Sequence, residues 1–310
     1  MEKIAVYYDD IFLAHDTGIH PENKERLQSI TTRLKSSDIA DWLDWIVPPV
    51  ATVDQLNLIH DMAYIEHVKK SCTSGGALDV DTVISHDSWS AALHAAGAAV
   101  SAVHTVLSGQ YPAAYCAIRP PGHHAERHKS MGFCLFNNVA IAARHSVQNL
   151  GLGKVAIIDF DVHHGNGTQN AFYSDPSVFV ISLHQRNHYP GTGLERESGE
   201  GNGEGTTLNC LMDSGSGNLE YLEVFDTKII PTLKKFSPEL VLISAGFDGH
   251  RDDPLGGIDL TETGYSEITR RIKLLAGDFG HGRVVSLLEG GYNPQALAKS
   301  VEAHLKALIE

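Results

Sequence analysis

One apolar, β-branched run of this chain ends abruptly in charged and imidazole side chains, at residues 157–167 (IIDFDVHHGNG). Asp159, Asp161 and His163 are spaced two residues apart, so an extended backbone points all three side chains to the same side. Carboxylate and imidazole groups that converge in this way are typical metal ligands. Because a catalytic zinc site needs about three protein ligands and an open position for water, the run predicts a further ligand from elsewhere in the chain.

Four other segments repeat the pattern of an apolar run that ends in polar side chains. The segment ELVLISAGFD ends in Asp248, which makes this residue the leading candidate for the further metal ligand. The other three segments end in histidines or a tyrosine: His123 with His124, His184, and Tyr292. Apolar strands separated by helical stretches indicate a parallel sheet covered by helices, and such sheets bind ligands at the carboxyl ends of their strands. The sequence therefore predicts a site built from five strand ends.

Length and composition fit one α/β domain over residues 1–310, in which 42% of the residues are hydrophobic and available for a core. A first strand is predicted from Ile4 to Tyr8. Helical periodicity and capping residues predict helices at residues 20–34, 54–70, 88–107, 218–236, 261–276 and 293–309.

Charge and composition narrow the classes of partner. The net charge of −14 argues against binding to the phosphate backbone of nucleic acids and permits cationic substrates. The four cysteines form no CxxC pair, which fits a reduced cytoplasmic protein better than a disulfide framework. The N-terminus has no basic leader, and no uninterrupted apolar stretch approaches the roughly 18 residues of a membrane span. We expect a cytoplasmic protein with no nucleic-acid or membrane partner; the sequence leaves its oligomeric state open.

Eight short motifs occur in the order found in zinc-dependent histone deacetylases: RPPGHH, GFCLFNN, DFDVHHGNG, SLH, YPGTG, SAGFD, DPLGG and EGGY. The chain resembles this family over most of its length, and HPENKERL and EGGY resemble its class II branch and bacterial relatives. The resemblance implies an arginase-deacetylase fold, with an eight-stranded parallel sheet in a jacket of helices. It also implies a narrow tunnel that leads an acylated lysine-like chain to zinc.

The resemblance assigns one zinc ion per chain to Asp161, His163 and Asp248, the residues that the spacing also indicates. Two carboxylates nearly neutralise the ion, so its bound water is less acidic than on an all-histidine site and a neighbouring base is needed. Tyr292 is expected to donate a hydrogen bond to the acyl oxygen as it becomes an oxyanion, opposite the zinc. A lone tyrosine after two glycines is more often a packing residue, so this role depends on the family match.

Adjacent histidines follow the rigid Pro-Pro-Gly turn. The resemblance makes His124 the general base and then the acid, with His123 assisting electrostatically. Each imidazole needs an orienting partner. Asp159 is expected to face His123, while Asn166 stands where many class I relatives carry an aspartate that faces the second histidine. A neutral partner should leave His124 less basic.

By the same resemblance, Phe133 and Tyr189 are the aromatic walls of the tunnel and Gly132 is a backbone contact, although both aromatic residues could equally belong to the core. A potassium ion is implied beside the zinc. Its expected ligands are the side chains of Asp159 and Ser182 and the main-chain carbonyls of Asp161, His163 and Leu183.

Two other enzymes share the implied fold. An arginase-like hydrolase would bind two metals and would carry aspartates where this chain has Gly165 and His250. An acetylpolyamine amidohydrolase often places an acidic gatekeeper where Leu255 stands here, which favours acyl-lysine of peptides or proteins over acetylated small amines. A non-catalytic reader of acylated side chains would not need His124 or Tyr292. The ligands accept several divalent ions, so iron or cobalt in place of zinc stays open.

Overall fold

The computed structural model describes residues 2–279 and 282–310. Within these ranges the chain forms ten strands: β1 (Ile4–Tyr7), β2 (Leu43–Ile46), β3 (Gly76–Ala77), β4 (Val83–Ile84), β5 (Ala113–Cys116), β6 (Val155–Asp159), β7 (Val178–Gln185), β8 (Thr207–Met212), β9 (Leu240–Ala245) and β10 (Val284–Leu288). β3 and β4 pair as a small antiparallel hairpin. The other eight form one parallel sheet in the order β2-β1-β5-β10-β9-β6-β7-β8. The predicted eight-stranded parallel sheet is confirmed.

The sheet explains why separate segments of the chain meet. Every residue of β1, β5, β6, β9 and β10 is buried, so both faces of the central sheet are covered. The five strands that the sequence marks with polar ends are neighbours, in the order β5-β10-β9-β6-β7. Because they are parallel, their carboxyl ends lie along one edge. The polar residues that follow them are thereby gathered in one place.

The described residues form ten α-helices around the sheet: α1 (Glu25–Ser36), α2 (Val53–Leu56), α3 (Met62–Cys72), α4 (Ser88–Leu107), α5 (Asn138–Gln148), α6 (Asn166–Phe172), α7 (Asn218–Val224), α8 (Ile230–Phe236), α9 (Glu262–Asp278) and α10 (Pro294–Ile309). α10 begins as its Asn-Pro signal predicts, since the Asn293 side chain accepts hydrogen bonds from the main-chain N–H groups of Gln295 and Ala296.

Two of the helices that the sequence predicts as continuous are each divided in two in the structure. The predicted helix at residues 54–70 is two helices, α2 and α3, because Asp61 caps the second of them by accepting a hydrogen bond from the Tyr64 N–H. The predicted helix at residues 218–236 is interrupted by a π-helical turn at Phe225–Ile229 between α7 and α8. Pro231 lies in the first turn of α8 and has no N–H to donate, which fits a wider turn directly before it.

Helix α4 is long and apolar enough to cross a membrane by length and composition alone. It is not an uninterrupted apolar stretch, since serine, histidine and threonine residues lie among its apolar residues, so the expectation from the sequence is not contradicted. More than half of the helix is buried inside the protein, and it packs against α5, β5 and β10. These contacts fit an alanine-rich core helix. The four cysteines are buried and unpaired, as the sequence predicts, while the cytoplasmic location and the single-domain extent stay predictions.

Buried histidines predict a loss of stability in acid. His304 lies between the hydroxyls of Thr269 and Ser286, and burial lowers its pKa to about 3. Below about pH 6.5 the unfolded chain takes up a proton there that the folded chain does not, so stability falls as the pH falls. We expect His304→Gln to reduce this dependence by up to about 1.4 kcal/mol per pH unit. Urea unfolding at several pH values tests this, with the exposed His67→Gln as control; equal slopes in both variants would contradict it.

Candidate active site

Three buried side chains converge beyond the ends of β6 and β9. The Nδ1 atom of His163 lies 3.0 Å from a carboxylate oxygen of Asp161 and 3.1 Å from one of Asp248. One ligand atom from each of the three residues lies within 4.8 Å of the others. Such separations suit neighbouring ligands of a single ion, whose bonds to nitrogen and oxygen are each about 2.0–2.2 Å long. The structure brings together the three residues that the sequence indicates as metal ligands.

Two glycines make room for these carboxylates. A Cβ atom at Gly246 would overlap the Asp161 carboxylate, and one at Gly290 would overlap the carboxylates of both aspartates. The backbone also fixes their orientation, since the Gly290 N–H donates to Asp161 Oδ2 at 2.8 Å and the Val162 N–H donates to Asp248 Oδ1 at 2.9 Å. The small residues after β9 and β10 thus let two carboxylates approach one point.

The electrostatics of this cluster favour a bound cation. Burial raises the pKa of Asp248, and the charge of Asp161 raises it further, to about 7. Burial alone would lower the pKa of His163, but its hydrogen bonds to the two carboxylates outweigh this and raise the pKa to about 10. The cluster therefore holds positive charge strongly at His163 Nδ1, at the point where the ligand atoms meet. A divalent ion bound at this point would supply the same positive charge.

The tandem histidines are buried beside this cluster, with ring centroids 4.0 Å apart. His123 Nδ1 lies 2.9 Å from Asp159 Oδ2, and His124 Nδ1 lies 2.8 Å from Asn166 Oδ1. Both partners are the ones that the sequence predicts. Each imidazole thus has its Nδ1 atom engaged, which leaves Nε2 as the free nitrogen.

The pKa values of the two histidines are shifted in opposite directions. Burial opposes the charged form of His123, but the carboxylates of Asp159 and Asp161 outweigh it and hold its pKa well above the ordinary value. Burial lowers the pKa of His124, and the charges of His123 and His163 lower it further. Neighbouring groups whose pKa values are pushed apart are typical of acid and base pairs in active sites.

A pocket of about 240 Å³ leads to these groups. Tyr189 stacks edge-on against His124 at 5.2 Å, and Phe133 stacks edge-on against Tyr292 at 5.7 Å. Gly132 has a φ of +56°, and a Cβ atom there would overlap the His124 ring, so only glycine fits. All of the predicted tunnel residues line this pocket: Gly132, Phe133, Tyr189 and Leu255.

Tyr292 lies on the wall of the same pocket and is held from two sides. The Arg26 guanidinium lies 5.0 Å from the centroid of its ring, and Asp253 accepts hydrogen bonds from the main-chain N–H groups of Tyr292 and Asn293. Burial raises the pKa of the Tyr292 hydroxyl well above the ordinary value, so this hydroxyl keeps its proton at neutral pH. It is a fixed hydrogen-bond donor.

The predicted potassium ligands are also neighbours. Asp159 and Ser182 are paired in register across β6 and β7, and both are buried together with Leu183. The Ser182 hydroxyl shares a 2.9 Å hydrogen bond with His184 Nδ1. The potassium site stays a prediction.

Several residues around the pocket were missed by the sequence analysis. His188 stacks on His163 with centroids 4.9 Å apart and donates from Nε2 to the Leu255 carbonyl at 2.8 Å. Asp81 also lines the pocket. Glu289 is buried and accepts hydrogen bonds from the main-chain N–H groups of Gly122 and His123, which fixes the turn before the tandem histidines. The glutamate of the EGGY motif is the only one of these with a signal in the sequence.

Fold and site together define an α/β protein with a cluster of carboxylates and imidazoles that could hold a divalent ion at a pocket. A comparison with protein families matches residues 20–308 to the histone deacetylase domain, and the chain belongs to this family. Zinc dependence is a general property of the family, and its members are deacetylases. The predicted family and enzyme class are confirmed.

Individual relatives agree with this assignment. Histone deacetylase 14, chloroplastic, of Arabidopsis thaliana is 38% identical over 322 residues, which cover 98% of this chain and 76% of that protein. A probable deacetylase of Archaeoglobus fulgidus is 38% identical over 292 residues, which cover 93% of this chain and 81% of that protein. The crystal structure of the HDA15 HD domain superimposes with a TM-score of 0.95 at 36% identity and covers 99% of this chain and 88% of that chain.

Proposed function

We propose that this protein removes acetyl or other acyl groups from lysine side chains of peptides or proteins, with zinc at the Asp161, His163 and Asp248 cluster. The observation that carries the proposal is the position of this cluster beside two histidines with opposed pKa shifts, at a pocket with aromatic walls. An extended aliphatic side chain fits such walls. When bound, zinc would polarise the acyl carbonyl and make a water molecule more acidic.

His124 is the general base of the proposed reaction. Its Nδ1 atom is engaged by Asn166, and its low pKa keeps the ring neutral, so Nε2 offers a lone pair for a proton of the attacking water. The same nitrogen then returns this proton to the leaving amine. His123, charged beside Asp159, contributes positive potential next to the reacting atoms.

Tyr292 stabilises the negative charge that develops on the acyl oxygen. Its protonated hydroxyl donates a hydrogen bond to the acyl oxygen as negative charge develops there. Arg26 and Asp253 hold the tyrosine ring and its backbone, so this donor is placed before substrate arrives. Asp253 also accepts a hydrogen bond from the Leu255 N–H, so its carboxylate already has hydrogen-bond partners within the loop.

The rim of the pocket, here Ile19, His20, Val80 and Leu255, favours an acyl-lysine of a polypeptide over a small amine. Leu255 supplies an aliphatic wall where an acidic gatekeeper would favour a polyamine. His20 contacts two residues of the pocket. Its ring packs edge-on against Phe133 at 4.6 Å, and its Nε2 donates to the Asp81 carbonyl at 3.2 Å. The neighbouring Ile19 and Val80 are fully exposed. They adjoin His20 and Asp81 in the chain, and we expect them to contact the residues that flank an acyl-lysine in a polypeptide, which a small amine lacks.

The rim makes a prediction that separates peptide from polyamine substrates. We expect the double variant Ile19→Ser, Val80→Ser to lower kcat/KM for an acetyl-lysine peptide about fivefold, because burial of two aliphatic side chains on binding is lost. Turnover of a free acetylated amine should not change. The control is Leu219→Ser, Leu274→Ser, which removes two exposed leucines from α7 and α9. Equal losses for both substrates would contradict the role of the rim.

The proposed function is tested by kcat/KM for acetyl-lysine peptides, longer acyl-lysine peptides and acetylated polyamines, on metal-free and zinc-restored protein. We expect zinc-dependent turnover with acyl-lysine peptides as the best substrates. A preference for acetylpolyamines by orders of magnitude would establish the second candidate, an acetylpolyamine amidohydrolase, which the net charge of −14 and the acidic residue Asp81 in the pocket lining favour. Binding of acyl-lysine without any turnover would establish a reader instead.

A further inference from the structure

The orientation of one amide side chain decides whether His124 can act as a base. Asn166, the partner of His124, has two different ends, an oxygen that accepts and an NH₂ group that donates. If the oxygen faces His124 Nδ1, that nitrogen carries the hydrogen and Nε2 keeps a free lone pair. If the NH₂ group faces it, the hydrogen lies on Nε2, and this nitrogen cannot take a proton from water. A symmetric carboxylate at this position would leave no such choice.

Glu126 settles this choice. The second end of the Asn166 side chain lies 2.8 Å from Glu126 Oε1 and 3.3 Å from the His124 carbonyl oxygen. An ionised carboxylate and a carbonyl only accept hydrogen bonds, so this end must be the NH₂ group. With the amide turned over, its oxygen would face both of these oxygens. We infer that Glu126 is a positioning residue, which fixes the Asn166 amide and, through it, the tautomer of His124.

Glu126 acts from outside the substrate pocket. Its side chain is half-buried and lines a separate cavity of about 320 Å³ together with Arg127 and Arg144. Its backbone is fixed by a tight turn, in which the Glu126 N–H donates to the Lys129 carbonyl at 2.9 Å. The bond from Asn166 to Glu126 is shorter than the bond to the His124 carbonyl and involves a charged acceptor, which makes it the stronger of the two. Loss of Glu126 should therefore change kcat and leave KM nearly unchanged.

The Asn166→Asp background provides a test that a merely structural role would not pass. A carboxylate accepts from His124 Nδ1 in either orientation, so Glu126 is no longer needed there. It would instead place two carboxylates 2.8 Å apart, which is unfavourable. The effect of removing Glu126 should therefore disappear or change sign when residue 166 is an aspartate.

The inference rests on the proposed function and is tested with an acetyl-lysine peptide. We expect Glu126→Ala to lower kcat about tenfold with little change in KM, as is typical when the partner of a site residue is lost. Glu126→Gln, which keeps an acceptor, should lose less. In the Asn166→Asp background, Glu126→Ala should lower kcat less than about twofold or raise it. Arg127→Ala, which removes a neighbouring side chain from the same cavity, is the control and should keep the wild-type kcat.

A measurement independent of turnover completes the test. In ¹⁵N-histidine NMR spectra, the His124 ring is identified by the signal that His124→Gln removes. We expect the hydrogen on Nδ1 in the wild type and a mixture of tautomers in Glu126→Ala. The inference is overturned by a wild-type kcat in Glu126→Ala, by equal losses in both backgrounds, or by a hydrogen on Nε2 in the wild type. If the wild type turns over no acyl substrate, the proposed function fails, and the NMR spectra still decide the role of Glu126.

Discussion

Asp161→Ala is expected to abolish both metal binding and turnover. The variant removes one of the two carboxylates at the cluster and leaves Asp248 and His163 as the remaining ligands. Two ligands do not make a catalytic zinc site, which needs about three from the protein. Zinc content measured on the purified variant should fall from one ion per chain to near zero, and kcat/KM should fall to the background of the assay.

The matched control for this variant is Asp213→Ala. Asp213 is also an aspartate in an ion pair, but its side chain is exposed and pairs with Arg186 on the surface. Surface pairs contribute about 0–1 kcal/mol, so this variant should keep its zinc and its activity. The same zinc content in Asp161→Ala and the wild type would show that the ion lies elsewhere.

Tyr292→Phe is expected to keep zinc and lose most turnover. The substitution removes only the hydroxyl, since the ring that faces Arg26 and the main-chain N–H that donates to Asp253 both remain. Loss of one oxyanion donor typically costs about 10²–10³-fold in kcat. KM should change little, because the donor acts mainly on the charge that develops during the reaction. Steady-state kinetics with an acetyl-lysine peptide, together with zinc analysis, provide the measurement.

Tyr221→Phe is the control for this second variant. Tyr221 is fully buried, and its hydroxyl has no hydrogen-bond partner among the described residues. This variant measures the effect of losing a buried tyrosine hydroxyl that does not line the pocket, and its kcat should stay at the wild-type value. If Tyr292→Phe were as active as Tyr221→Phe, the oxyanion role of Tyr292 would be excluded.

The sequence contains the information for the sheet and for the residues at its edge. Strand burial appears as continuous apolar runs, and the spacing of two between Asp161 and His163 puts both side chains on one side. Asp248 follows an apolar run of the same type, so the parallel sheet alone brings it near the other two ligands. The helix breaks at Asp61 and before Pro231 were missed, because a side-chain cap at the first and a π-helical turn at the second interrupt an apolar periodicity that runs across both breaks.

The residues that position the site could not be predicted in this way. His188 stacks on His163 across 25 residues of sequence, and Arg26 reaches Tyr292 from a helix near the N-terminus. Arg26 lies away from any strand end, and His188 follows β7 without belonging to a motif of metal ligands, so only the folded chain reveals these contacts. Glu126 lies two residues after His124, yet its bond to Asn166 depends on how the turn folds back onto α6. Periodicity predicts which face a side chain occupies, and it does not predict such long-range polar contacts.

Zinc titration of the metal-free protein, with bound metal and turnover measured on the same samples, shows whether one divalent ion, held by two carboxylates and one imidazole, supports the hydrolysis. Turnover of an acetyl-lysine peptide should rise in proportion to bound zinc and reach its maximum at one ion per chain. Full turnover without metal, or a maximum only at two ions per chain, would contradict it.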